Sequence, residues 1–142
     1  MRILIVEDEK VAARGLQRMV EGILGKEIAW IGWEASLDAS RFVLAEKPVD
    51  VLFLDLNLNG ENGFDLLHGA VAGSFHTIVV SANDDQALRA FEYGVLDFVP
   101  KPVAEDRLRK AIGRIKDANY SGKQAKFLPI RKPKGVALIR NI

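Results

Sequence analysis

The chain has 142 residues, 49% of them hydrophobic and 27% charged, so it can fill a core and is not a disordered composition. It has no cysteine, which excludes disulfides and thiolate metal sites. The net charge of +1 hides a split: residues 1–118 carry 14 Lys/Arg against 19 Asp/Glu, while residues 119–142 carry six basic residues and no acid.

That split sets a domain boundary near residue 119 and makes the acidic body a poor DNA binder by itself. The opening run Met1–Val6 meets Glu7 and Asp8 too soon for a signal peptide. No apolar run approaches the roughly 18 residues of a membrane span. A soluble cytoplasmic protein is the expectation, with no membrane contact.

In chain order, Ile3–Val6 reads as a first buried strand. Val11, Ala12, Leu16, Met19, Val20 and Ile23 share one face of a helix that Gly25 can close. Ile28–Trp33 is a second strand. Ser36 can cap a helix that stops before Pro48. Val51–Leu54 is a third strand and ends at Asp55. Asn62 can cap a helix carrying Phe64, Leu66, Leu67, Ala70 and Val71. Thr77–Val80 is a fourth strand, ending at Ser81. Asp84 and Asp85 open a helix with Ala87, Leu88, Ala90 and Phe91. Val95–Val99 is a fifth strand, and a last helix follows Pro102. Strict alternation of strands and helices predicts an α/β fold: a doubly wound, five-stranded parallel sheet of order 2-1-3-4-5, flavodoxin-like.

In such a sheet, ligands bind outside the carboxyl ends of the strands. Those ends carry Glu7 and Asp8, then Asp55, Ser81 and Lys101. Strands 1 and 3 are neighbours in this order, so three carboxylates converge and repel unless a cation sits among them. Oxygen ligands of this kind suit Mg²⁺. Lys101 and the Ser81 hydroxyl are groups that hold phosphoryl oxygens. The set fits phosphoryl transfer onto a carboxylate.

The segments Ile3–Glu9, Leu54–Leu58 followed by Gly60 and Gly63, Val80-Ser81-Ala82 and Asp97–Pro102 resemble the receiver domain of two-component response regulators. The resemblance covers residues 1–118. It implies that Asp55 accepts phosphate from a sensor histidine kinase. It implies Mg²⁺ held by Asp8, Asp55 and the backbone carbonyl of Asn57, with Glu7 acting through a metal-bound water. Ser81 and Lys101 would contact phosphoryl oxygens, and Phe98 matches the aromatic switch position. It further implies a cis Lys101–Pro102 bond.

Residues 119–126 read as a linker. Residues 127–142 read as the start of a β-rich output domain, similar to the opening of a LytTR-type DNA-binding domain, or as a basic tail. DNA contact would come only through that missing domain.

Three readings compete: a phosphorylatable switch, a constitutive interaction module, and an enzyme with a phospho-aspartate intermediate. The switch would act on the face of helix 4, strand 5 and helix 5, where Leu88, Arg89, Phe91, Glu92, Arg107 and Arg114 are candidate contacts for a homodimer or an output domain. Arg107 also belongs to a basic run expected to form a solvated face. The complete acidic set with Ser81 and Lys101 favours the switch. Asn57, where a phosphatase would want a second acid, and the lack of a substrate cap count against the enzyme. Trp30 and Trp33 are expected as core and edge covering.

Overall fold

The computed structural model describes residues 1–68 and 74–125, with side chains to residue 119. Two compact units are distinguished, Met1–Ala111 and Ile112–Ile142. The first holds everything that positions the site.

Five strands form one parallel sheet: β1 (Arg2–Val6), β2 (Trp30–Glu34), β3 (Val51–Leu54), β4 (His76–Ser81) and β5 (Asp97–Pro100). Their order is β2-β1-β3-β4-β5, with every pair parallel. The doubly wound arrangement expected from the alternation is therefore present.

Successive strand residues point to opposite faces. Leu4, Val6, Leu52, Leu54, Val79 and Phe98 join one core with Leu37, Phe64, Leu66 and Ala90. The alternate residues Ile3, Ile5, Val51, Phe53, Ile78 and Val80 are buried as well. A sheet covered on both faces needs continuous apolar strands, which is why these runs show no polar alternation.

Helix α1 spans Lys10–Leu24 and ends where the Gly25 N–H returns to the Glu21 carbonyl. Helix α2 (Leu37–Glu46) starts at Ser36, whose hydroxyl accepts from the Ala39 N–H. Helix α3 (Ala87–Glu92) follows a 3₁₀ turn over Asp84–Gln86, and α4 spans Glu105–Ala125. Among the described residues, no helix is long and apolar enough to cross a membrane.

Three expectations need correction. The helix expected from Asn62 is a 3₁₀ helix over Gly63–Leu67, although Asn62 does cap it by accepting from the Phe64 N–H. The rest of that expected helix, residues 69–73, lies outside the described residues. The stretch from Asn119, expected as linker, continues α4 as far as Ala125. No proline interrupts it, and one internal glycine, Gly122, costs a helix only about 1 kcal/mol. Third, β2 begins at Trp30 and β5 at Asp97, each later than expected. The two strands expected around Lys132-Pro133-Lys134 lie outside the described residues.

Candidate functional site

Asp55 follows the last residue of β3, and its backbone N–H donates to the Val6 carbonyl of β1 at 2.9 Å. This bond extends the ladder one step and brings the ends of the two strands together. Lys101 is tied to β4 in the same way, through its N–H and the Ser81 carbonyl at 3.0 Å. The Lys101–Pro102 peptide is cis, as the resemblance implied.

The side chains then converge. Glu7, Asp8, Asp55, Asn57, Ser81 and Lys101 all line one cleft of about 230 Å³. Phe98 does not; it is buried in the core on one face of the sheet. Glu7, Asp8 and Asp55 each offer an oxygen within 4.8 Å of the others. Glu7 and Asp55 are buried and Asp8 is exposed.

The repulsion expected among these acids has a cation of the protein's own to offset it. The Lys101 ammonium donates to Glu7 Oε1 at 2.5 Å and to Asp55 Oδ2 at 2.9 Å. The other Asp55 oxygen accepts from the Asn57 N–H at 3.2 Å. Burial pushes the Glu7 carboxyl up, and the hydrogen bonds from Lys101 and the Glu9 N–H only partly offset it. Burial pulls the Lys101 ammonium down, but its hydrogen bonds to Glu7 and Asp55 prevail and leave it raised. Three carboxylates with oxygen donors this close fit the metal site of a receiver, a hard-ion site by its chemistry.

The loop after Asp55 is more ordered than its sequence suggested. Asn57–Leu58 and Glu61–Asn62 pair antiparallel as a small hairpin. Its two central residues, Asn59 and Gly60, both take positive φ, 54° and 91°. A two-residue type I′ hairpin demands this, and Asn-Gly is its strongest sequence signal. That signal was available in the chain. Gly63 closes the loop, with its N–H donating to the Leu56 carbonyl at 2.8 Å.

The candidate output contacts divide. Leu88 and Phe91 are exposed at 75% and 48%. Arg89 lays its guanidinium 4.5 Å over the Phe64 ring. Arg107 corrects the expectation of a solvated face: it forms a two-point ion pair with buried Asp97, at 2.7 and 2.9 Å, and donates to the Phe98 carbonyl at 2.9 Å. Position on a basic helix surface could not show that an acid on the adjoining strand faces it.

Residues 3–113 match the response regulator receiver domain, and the chain belongs to that family, a class of signalling switches rather than enzymes. It is 31% identical over 121 residues to the sensory transduction protein LytT of Bacillus subtilis, covering 84% of this chain and 49% of that one. It is 30% identical over 118 residues to LytR of Streptococcus agalactiae, covering 82% and 48%. The chain thus spans about half the length of the curated relatives it matches. The signal receiver domain of a DNA-binding response regulator protein (merR) from Colwellia psychrerythraea superposes with a TM-score of 0.72 at 24% identity, covering 82% and 98% of the two chains. At that identity the likeness speaks for the fold alone.

One prediction follows from the coupled acid–lysine pair. A carboxyl raised in the folded state binds its proton more tightly there than in the unfolded chain. Its stabilising share is therefore full below the ordinary value of 4.5 and lost as pH rises through the raised one. Lys101→Met removes the ammonium that holds Glu7 down, so the loss should become steeper and extend to higher pH. Urea midpoints between pH 5 and 8 in EDTA will measure it; parallel curves for variant and wild type would count against the pairing.

Proposed function

We propose that this chain is a phosphoryl-accepting switch, with Asp55 as the acceptor and a sensor histidine kinase as the donor. The observation that carries the reading is the Lys101 ammonium shared between Asp55 and Glu7 in a cleft that also holds Asp8 and Ser81. In the reaction, an Asp55 carboxylate oxygen attacks the phosphorus of a phosphohistidine. The new O–P bond forms as the P–N bond breaks, and the electron pair stays on the imidazole nitrogen.

Asp8, Asp55 and the Asn57 backbone carbonyl would hold Mg²⁺, with Glu7 reaching it through a water. When bound, such an ion neutralises charge on the transferring group. Lys101 already neutralises part of the acceptor's charge, and its ammonium can turn to a phosphoryl oxygen as the carboxylate becomes an acyl phosphate. The Ser81 hydroxyl, which accepts from the Asn83 N–H at 3.1 Å, has a proton to donate to a second oxygen.

The readout we assign to this chemistry is a shift of Ser81 and Phe98 that reshapes the surface of α3, β5 and α4. That face would support a homodimer or release an output. DNA contact would belong to a LytTR-type domain beyond residue 126. A cytoplasmic location suits this partner set.

The test is intact mass after treatment with a small acyl phosphate and Mg²⁺. One phosphoryl adduct is expected on the wild type and none on Asp55→Asn. An unmodified wild type, or an equal adduct on the variant, would overturn the proposal.

A further inference from the structure

We infer that Trp33 is a positioning residue for the metal-binding acids, which rests on the reading of the cleft given under Proposed function. Trp33 lies on the edge strand β2, opposite Ile5 in the register. Its indole Nε1–H donates to the Glu7 backbone carbonyl at 2.6 Å. The other tryptophan of this strand has an ordinary covering role: Trp30 packs against the core and lies under the Lys47 ammonium at 4.8 Å.

The Glu7 carbonyl is one half of the peptide that joins Glu7 to Asp8. Every other polar group of Glu7 is also engaged. Its N–H donates to the Glu34 carbonyl at 3.1 Å, and its carboxylate accepts from Lys101 and from the Glu9 N–H. Asp8 differs. Its carboxylate is exposed and has no hydrogen-bond partner among the described residues. With no partner on the side chain, what the fold fixes of Asp8 is the backbone that carries it, and so the place from which its carboxylate starts. The indole fixes the plane of that peptide from outside the cleft. A backbone fixed before the ion arrives leaves only the Asp8 side chain to be ordered on binding, which lowers the cost.

Trp33→Phe keeps most of the ring and removes the donor. Calorimetric titration of the full chain with Mg²⁺ should then give an affinity weaker by about fivefold, the effect of one lost hydrogen bond. In the wild type, the Trp33 indole N–H resonance, assigned by its loss in Trp33→Phe, should shift when Mg²⁺ is added and stay fixed when Asp8→Asn is titrated. A merely structural tryptophan would move neither reading.

Equal Mg²⁺ affinity in wild type and Trp33→Phe overturns this inference and leaves the reading of the cleft intact. A wild type that binds no Mg²⁺ overturns both. Should Trp33→Phe fail to fold, the wild-type indole resonance decides, with Trp30→Phe supplying its assignment: a signal unmoved by saturating Mg²⁺ overturns the inference.

Discussion

Arg107→Met should lower the unfolding free energy by about 3 kcal/mol, the low end of the range for breaking a buried ion pair from one side. Asp97 is only 2% exposed, so its charge is left in the interior when the guanidinium goes. The low end applies because the Arg107 side chain is itself 32% exposed, and water can follow where it retreats. The Phe98 N–H, which donates to Asp97 Oδ1 at 2.8 Å, stays in place and keeps part of the carboxylate satisfied.

The second half of this experiment adds Asp97→Asn. With the charge gone, the double variant should recover much of the loss, because an uncharged amide is far cheaper to bury than a carboxylate that has lost its guanidinium. Urea unfolding of the two single variants, the double variant and the wild type completes the cycle. A double variant no better than Arg107→Met would mean that packing, rather than charge, was lost.

Gly63→Ala should destabilise the chain by on the order of 2–3 kcal/mol, at the upper part of the range for forced overpacking. A Cβ at this position would sit 2.3 Å from the Asp55 carbonyl oxygen and 2.8 Å from the Leu56 Cα. Both are backbone atoms, so no side chain can swing aside. The backbone that must yield carries Asp55, the proposed phosphoacceptor. Stability and phosphorylation should therefore fall together in Gly63→Ala. Gly22→Ala is the control, because a Cβ there meets nothing within 4 Å. Urea midpoints and intact mass with an acyl phosphate will show both effects; a stable Gly63→Ala that takes phosphate normally would contradict the clash.

Much of the fold could be read from the chain because its strands are buried on both faces. Val51–Leu54 is apolar throughout, ends abruptly at an acid and is too short for a helix. The cleft was legible for a related reason: topology alone sends Glu7, Asp8, Asp55, Ser81 and Lys101 to one edge of the sheet.

What stayed hidden depends on distances between segments. Gly63 looks like any loop glycine until the Asp55 carbonyl is placed against it. Trp33 looks like edge covering until its ring is seen to extend along the strand to the Glu7 carbonyl. Arg107 sits in a basic run of a kind that is usually solvated, and only the packing of α4 near β5 turns it toward Asp97. Composition misled at Asn119–Gln124, where polar residues and one glycine suggested a linker. Local preference there is weak, and the helix passes through it.

The two bonds made by the Lys101 ammonium have a consequence for how the protein comes into being. They join residues 94 and 46 positions apart in sequence. Contacts of that span form late, because the long loops they close must first be ordered. A chain emerging from its N-terminus therefore carries Glu7, Asp8 and Asp55 before the ammonium that balances them exists. Only docking of the fifth strand completes the set. Under the proposed function, readiness to accept phosphate would thus be a property of the finished fold, and a kinase acting on it would be reading completed assembly.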